Sequence, residues 1–289
     1  MKNNTTEKRT VANPWEEGQL EAFADSLRQG ERSLSTRRQY GREVRRFREW
    51  MRGRALDKEA VISYKEILEK TYRPASVNTK LAAINSFLAF LGRQEWKVKL
   101  LRIQRSAYCS GERELSRQEY QQLVMAARRK GDERLCVLLQ TVCSTGIRIS
   151  ELSFITVEAV TAGEAVVRLK GKSRTVLLPE KLRCLLRKYL RRAGITHGAV
   201  FVTRSGAPMD RSNIWKQMKA LGEAAAVPEQ KVFPHNLRHL FARCFYELGK
   251  DIAKLADVLG HSSINTTRLY IISSGQEHRR QLERLGLLA

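Results

Sequence analysis

Apolar residues recur three and four positions apart along most of this 289-residue chain, and this helical period is interrupted in one main region. There, two β-prone runs at Ala165–Leu169 and Thr175–Leu178 flank the polar stretch Lys170–Arg174. This pattern predicts a β-hairpin with the polar stretch at its tip. A further short β-prone run lies at Ala199–Val202. We therefore expect a mainly α protein with a small three-stranded sheet.

The first hundred residues predict a separate all-α domain. Four helical segments follow Pro14, and Ser33 or Ser35 is positioned to cap the second, which is rich in arginine. The stretch 99–113 has no period and is interpreted as a linker, and the capping-box sequence Ser116–Glu119 opens the next helix. We predict a disordered segment at 1–13, a helical domain at 14–98, the linker at 99–113 and a second domain at 114–289.

The charge of the chain predicts a polyanionic partner. Lys and Arg number 53 against 30 acidic residues, giving a net charge of +23, and both halves of the chain are basic. Nucleic acid is the commonest partner of such a protein, although a well-solvated basic surface is the alternative. The candidate DNA contacts are Arg37, Arg38, Arg42, Arg45, Lys80 and Arg174.

Several other classes of protein are disfavoured. Five cysteines, an odd number without a C-x-x-C pair, argue against a disulfide framework or a zinc ribbon. No long apolar span or signal peptide is present, so we expect a cytoplasmic protein without a membrane partner. Gly171-Lys172-Ser173 is not a nucleotide-binding P-loop, because the first glycine of that motif is replaced by Val166. No carboxylate cluster has metal-ligand spacing, and we predict no metal or other cofactor.

Five residues of the predicted second domain have side chains suited to catalysis. His235 and Arg238 lie three apart on one helix, and Arg148 follows a glycine helix stop. His261 ends a Leu-Gly-His sequence, and Tyr270 follows nine residues later. Each residue alone has an ordinary explanation, such as a surface ion pair or a core tyrosine. Together, two guanidiniums, two imidazoles and a phenol suit attack by tyrosine on a phosphodiester.

The order of these residues resembles that of the tyrosine recombinases, the phage integrase family, and most closely the compact Xer-type members. The resemblance covers essentially the whole chain, more loosely in its N-terminal part. It rests on the residues Arg148, Lys172, His235, Arg238, His261 and Tyr270. The fold implied is an all-α core-binding domain plus an α+β catalytic domain, which together form a C-shaped clamp on duplex DNA.

The resemblance also implies a role for each residue. Tyr270 would attack the scissile phosphate to give a 3′-phosphotyrosine, with His235 assisting the proton transfer from the phenol. Lys172, at the hairpin, would protonate the leaving 5′-oxygen. The phosphate oxygens would be contacted by Arg148, Arg238 and His261. Independently of the resemblance, Glu151 lies three residues after Arg148 and is expected to brace its guanidinium by charge pairing.

Members of this family recombine two double-stranded DNA sites through a Holliday junction. The resemblance therefore implies a homo-tetramer on DNA, or a tetramer of two related protomer types. A C-terminal amphipathic helix at about 276–287 would dock on the neighbouring protomer, or else pack on its own domain. The expected biological role is mobile-element integration and excision or Xer-like resolution, at the nucleoid of a bacterium.

Two alternatives are open at this point. A type IB topoisomerase-like enzyme shares this chemistry but acts as a monomer, so gel filtration on a site-containing duplex distinguishes it. A catalytically silent DNA-binding regulator would use the same clamp, and a suicide DNA substrate that fails to trap covalent protein would identify it.

Overall fold

The computed structural model describes residues 17–103, 113–169, 171–271 and 283–284. Residues 17–103 belong to one compact unit and the described residues from 113 onward to another. The predicted N-terminal segment 1–13, most of the linker and the predicted C-terminal helix 276–287, apart from residues 283 and 284, lie outside the described residues.

The first unit is helical, as expected. Ser33 caps α2 by accepting a hydrogen bond from the Thr36 amide, Asp57 caps α3 in the same way, and Pro74 begins α4, where its missing amide hydrogen has no cost. The helices are α1 (Glu17–Gln29), α2 (Leu34–Met51), α3 (Lys58–Thr71) and α4 (Pro74–Phe90), followed by a 3-10 turn at Gln94–Trp96. Fully buried aromatic side chains, including Phe47 and Phe87, form its core.

The second unit is built mainly from helices around one hydrophobic core. Its first helix begins with the predicted capping box, in which both hydrogen bonds between Ser116 and Glu119 form. The helices are α5 (Arg117–Arg129), α6 (Glu133–Thr145), α7 (Val157–Ala162), α8 (Glu180–Ala193), α9 (Arg211–Ala224), α10 (Pro234–Gly249), α11 (Ile252–Leu259) and α12 (Ile264–Ile271). Two 3-10 segments, Ile149–Phe154 and Glu229–Lys231, connect some of them.

The sheet of this unit differs from the prediction. Strands β1 (Glu164–Leu169) and β2 (Lys172–Leu177) form an antiparallel pair, the only sheet among the described residues. The predicted third strand, Ala199–Val202, makes isolated bridges to Thr156 and Pro208. Proline has no amide hydrogen and cannot extend a ladder, so this segment does not become a strand.

The hairpin tip is also shorter than predicted. Leu169 pairs with Lys172, so β2 begins at Lys172 and contains Arg174, which the sequence had placed in the tip. Strand pairing therefore gives Arg174 a fixed position within the unit, and its side chain is only 13% exposed. The prediction that Arg174 belongs to the hairpin tip is therefore wrong, and its role as a DNA contact stays a prediction.

Lys80, predicted as a DNA contact, is buried in the first unit. Its ammonium donates to Glu43 at 2.7 Å, and the two side chains are 11% and 5% exposed. Burial alone would raise the pKa of Glu43, but the hydrogen bond and charge of Lys80, helped by Arg42 and Arg46, hold that pKa below its usual value. Lys80 therefore joins α4 to α2 and is not a surface cation.

No described helix has both the length and the apolar content needed to cross a membrane. The described residues also contain no group of three or more His, Cys, Asp or Glu side chains arranged to hold a metal ion.

Lys80→Met should lower the free energy of unfolding of the first unit by about 2–4 kcal/mol, because it leaves a buried carboxylate without its closest partner. Native-state hydrogen exchange of amides in α2 and α4 measures this. The loss should shrink in acid, since a carboxylate with a lowered folded pKa stabilises above its unfolded pKa and ceases to do so as pH falls through the folded value.

The matched control is Lys65→Met, which breaks a more exposed pair with Glu69 on α3. That variant should cost less than about 1 kcal/mol. Equal small losses in both variants would show that the buried pair contributes no special stability.

Candidate active site

The guanidinium of Arg238 is held by the ends of two other helices. It donates to the carbonyl oxygen of Gly146, the C-cap of α6, and at 2.8 Å to that of Leu259, the last residue of α11. Carbonyls at helix C-termini have no partner within the helix and carry the negative end of its dipole. They therefore bind the cation well, and Arg238 is only 1% exposed.

Both helix ends depend on glycine. Gly146 and Gly260 cap α6 and α11 in the left-handed conformation, with φ of +62° and +63°. A Cβ at Gly146 would lie 2.7 Å from Cε1 of Phe241, and a Cβ at Gly260 would meet the side chain of Arg174. The two glycines thus allow the close packing that brings both carbonyls to Arg238.

His261 is oriented by Arg238 and Thr267. Arginine only donates hydrogen bonds, so the 2.8 Å contact from Arg238 Nη2 makes Nε2 of His261 an acceptor. The proton of the neutral ring then lies on Nδ1, which donates to Thr267 Oγ1 at 2.9 Å. Burial, followed by the charges of Arg238 and Arg148, lowers the pKa of His261 to about 4. The ring is therefore neutral at physiological pH.

Glu151 connects Arg148 to the hairpin. Its carboxylate, 3% exposed, accepts from Arg148 Nη1 at 2.8 Å and from Arg174 Nη2 at 2.6 Å. Arg174 also donates to the carbonyl of Val258 at 2.9 Å. Burial opposes ionisation, but these two guanidiniums outweigh it and lower the pKa of Glu151. The expected brace of Arg148 by Glu151 forms, and Arg174 shares it.

Tyr270, on α12, lies among three imidazoles. Its hydroxyl is 3.3 Å from Nε2 of His235, and its ring stacks on His239 with centroids 4.3 Å apart. The His261 ring lies 5.3 Å away and the guanidinium of Arg238 5.7 Å from the tyrosine ring centre. Only 6% of Tyr270 is exposed.

The imidazoles around Tyr270 have lowered pKa values. Desolvation of the ring, followed by the charges of Arg238, Arg148 and Arg211, lowers the pKa of His235. Burial and the neighbouring His235 lower that of His239 to about 3. A neutral imidazole has a free nitrogen lone pair, so His235 can accept the phenolic proton over a wider range of acid pH than a free histidine.

A cleft of about 550 Å³ opens beside these residues. Arg148, Arg238 and His235 line one part, with Pro234 at the start of α10, and Arg211 and Trp215 of α9 line another. Cations and a helix N-terminus favour an anionic group here. The arrangement can bind a phosphate beside a tyrosine hydroxyl and a neutral base.

The structure brings together five of the six predicted catalytic residues and Glu151. For Lys172 the backbone is described, at the start of β2 and two residues before Arg174. Of the predicted DNA contacts in the first unit, Arg38, Arg42 and Arg45 are exposed on α2, Arg37 is partly buried and Lys80 is enclosed.

The sequence analysis did not identify four residues of the site: His239, Thr267, Arg211 and Trp215. His239 is four residues after His235, a spacing that places both on one helix face and could have revealed it. Thr267, three residues before Tyr270, had a similar signal. Arg211 and Trp215 belong to no motif, and only the packing of α9 near α10 brings them to the cleft.

Comparison with known proteins agrees with this geometry. Residues 113–277 match the model of the phage integrase family, and residues 20–95 match its N-terminal SAM-like domain. The chain belongs to the phage integrase family. It is a tyrosine recombinase, as the order of its motifs predicted.

Two relatives match over almost the whole chain. Tyrosine recombinase XerA of Thermococcus kodakarensis is 30% identical over 93% of this chain and 95% of its own length. XerA of Pyrococcus furiosus is 28% identical, with 93% and 94% covered. The crystal structure of XerH recombinase bound to its difH substrate shares the fold, with a TM-score of 0.72, 20% identity and coverage of 93% and 84%.

Gly146→Ala should abolish detectable DNA cleavage while Gly194→Ala leaves it nearly unchanged. Both glycines cap helices at positive φ, but a Cβ at Gly194 meets nothing within 4 Å. The shared backbone strain costs about 1–2 kcal/mol, whereas only the Gly146 variant displaces Phe241 and the carbonyl that holds Arg238.

Cleavage of a suicide duplex and thermal unfolding should be measured for both variants. Cleavage at equal rates by the two folded variants would contradict the dependence of Arg238 on the Gly146 carbonyl.

Proposed function

We propose that this tyrosine recombinase cuts and rejoins DNA at specific sites with Tyr270 as its nucleophile. The observation that carries the proposal is the contact of the Tyr270 hydroxyl with a neutral His235, beside the guanidiniums of Arg148 and Arg238. The hydroxyl of a tyrosine is a weak nucleophile, so it needs both a proton acceptor and a cationic environment to attack a phosphate.

In the proposed cleavage, the Tyr270 oxygen bonds to phosphorus as its proton passes to His235. The bond from phosphorus to the 5′-oxygen breaks, and Lys172 gives that oxygen a proton. The products are a 3′-phosphotyrosine and a free 5′-hydroxyl. Because the phosphodiester bond is exchanged and not hydrolysed, a 5′-hydroxyl from another strand can reverse the step and join the strands.

Arg148 and Arg238 stabilise the charge on the non-bridging oxygens during this step. A planar guanidinium donates to two oxygens at once, and Glu151 and the helix-end carbonyls fix the two cations beforehand. Because Arg238 is nearly enclosed and lies beneath Tyr270, we expect α12 to shift when the phosphate enters. The same shift would release Nε2 of His261 from Arg238. If the ring proton then moves from Nδ1 to Nε2, with the Thr267 hydroxyl donating to Nδ1, His261 can donate a hydrogen bond to the phosphate.

We further propose that both units contact duplex DNA as a clamp, with the linker between them. In the first unit, exposed Arg38, Arg42 and Arg45 form one face of α2 that can bind phosphates. The similar folds of XerH bound to difH and of a lambda integrase dimer bound to a core site support this arrangement.

The proposed active assembly is a homo-tetramer on two DNA sites, with the C-terminal helix linking neighbours. The near-complete match to XerA proteins favours an Xer-like recombinase, while fold similarity to a transposon integrase keeps mobile-element integration and excision as the second candidate. In either role the protein would act on DNA at the nucleoid. A complex on paired sites no larger than one protomer per site would favour a topoisomerase-like enzyme.

Tyr270→Phe should form no covalent DNA adduct and still bind DNA, because the variant loses only the nucleophilic oxygen. Adducts on a suicide duplex are measured on denaturing gels, and binding by mobility shift. Tyr246→Phe is the control, since it removes the hydroxyl of a second tyrosine ring, which packs against the same hydrophobic cluster and lies under the ammonium of Lys250. An adduct formed by the Tyr270 variant would contradict the assignment.

Lys172→Ala should slow cleavage by about two to four decades, the usual contribution of a general acid. A substrate with sulfur at the 5′-bridging position should restore most of the rate, because a thiolate leaves without a proton. Single-turnover cleavage of both substrates measures this rescue.

The control is Lys170→Ala, which removes the same charge two residues earlier. This variant should cleave the normal substrate at close to the wild-type rate, so sulfur at the 5′-bridging position should bring no specific gain. Sulfur rescue of the Lys170 variant instead would transfer the acid role to that residue. Equal damage to Lys172→Ala on both substrates would reduce Lys172 to a phosphate contact.

A further inference from the structure

The cleft beside Tyr270 extends beyond the residues assigned to cleavage. Helix α9 begins at Arg211, immediately after its cap Asp210, and Trp215 lies one turn further along. Residues four apart share one face of a helix. Both side chains are exposed, Trp215 by 45%, and both line the cleft with Arg148 and His235.

Arg211 differs from the other arginines of the cleft in its partners. Arg148 is paired with Glu151, and Arg238 is bound by two carbonyls and His261. The Arg211 side chain makes no hydrogen bond or ion pair with any residue that the structure describes. It is nevertheless close enough to His235 to contribute to the lowering of that pKa. An uncompensated guanidinium in a cationic cleft is suited to an external anion.

Trp215 provides a flat apolar wall next to this cation. The only charged group recorded over its ring is Lys219, at 5.4 Å among the described residues, and Lys219 is itself paired with Glu229. Exposed aromatic rings beside basic groups pack against the sugars and bases of nucleic acids. A nucleotide within a DNA strand presents a phosphate, which suits Arg211, next to the apolar face of a sugar, which suits Trp215.

We propose that Arg211 and Trp215 bind the nucleotide next to the scissile phosphate. Arg211 contacts the neighbouring phosphate, and Trp215 packs against the deoxyribose between the two phosphates. A cleft of about 550 Å³ is larger than a single phosphate requires and accommodates this step. The inference rests on the proposed function, since it takes Arg148 and Arg238 as the site of the scissile phosphate.

The proposed contact positions the substrate and does not take part in bond breaking. Anchoring the neighbouring phosphate and sugar fixes the direction of the sugar–phosphate chain, so that the 5′-oxygen leaves opposite the tyrosine. Loss of this contact should therefore raise the DNA concentration that gives half-maximal cleavage more than it lowers the maximal rate. A residue that only supports the fold would instead reduce the amount of active protein at every DNA concentration.

The test replaces single phosphates by uncharged methylphosphonates. The probe is a suicide duplex with the sequence recovered from DNA that the wild-type protein traps covalently. One phosphate on either side of the scissile position is neutralised in turn, and single-turnover cleavage is measured over a range of DNA concentrations. The proteins compared are wild type, Arg211→Ala and Lys216→Ala. Lys216 is exposed on the same helix but does not line the cleft. The Lys216→Ala variant therefore loses one positive charge from α9, as Arg211→Ala does, without changing the proposed contact.

For wild type and Lys216→Ala, one of the two methylphosphonates should raise the half-saturating DNA concentration about tenfold, as expected for a lost charge-assisted hydrogen bond. Arg211→Ala should show this weakened binding on unmodified DNA and no further effect of that methylphosphonate. If all three proteins respond equally to both methylphosphonates, the assignment of Arg211 is wrong.

Trp215 is tested in the same assay with two variants. Trp215→Phe should keep the half-saturating concentration close to that of wild type, because a ring remains against the sugar, whereas Trp215→Ala should raise it. Equal behaviour of the two variants would overturn the role of the ring. In every arm the wild-type protein forms its covalent adduct, so these outcomes are distinct from failure of the proposed function, in which wild type traps no DNA.

Discussion

The site depends on one buried cation. Arg238 takes its place because two helices, α6 and α11, end at left-handed glycines and direct free carbonyls toward its guanidinium. A buried guanidinium without such acceptors would be strongly unfavourable. Burial and the charge of Arg148 lower the pKa of Arg238 to about 10, which still leaves it charged at neutral pH. Three separate segments are thereby fixed relative to one another around a single charge.

Glu151 fixes the positions of Arg148 and the hairpin in the same way that the helix-end carbonyls fix Arg238. It is the carboxylate that links Arg148 to Arg174, and Arg174 in turn reaches the carbonyl of Val258, next to the Leu259 carbonyl that binds Arg238. The hairpin that carries Lys172 is therefore tied to α11 and to Arg148 through one strand residue. This connection explains why Arg174 is held inside the unit, although the sequence pattern had placed it in the hairpin tip.

Much of the fold and of the candidate site could be predicted from the sequence, because the signals that predict them lie within a few neighbouring residues or in the order of the motifs. Caps such as Ser33 and the glycine stop at Gly146 act over a few residues, and the catalytic set has a characteristic order. The failures involve contacts between distant segments. Lys80 is buried because it pairs with Glu43, which lies on another helix. Ala199–Val202 does not form a strand, because the residue that pairs with Val202 is Pro208. Neither fact follows from residue type or period, and only the packing of the helices brings α9 to the cleft.

The charge balance of the cleft makes the neutral histidines part of the mechanism. Arg148, Arg211 and Arg238 line the cleft, and no carboxylate is among its lining residues in the part of the chain that the structure describes. Each cation favours a phosphate. Desolvation of the rings, followed by the charges of Arg238 and Arg148, lowers the pKa of His235 and of His261. The guanidiniums thus attract the phosphate and, together with burial, keep the base His235 unprotonated.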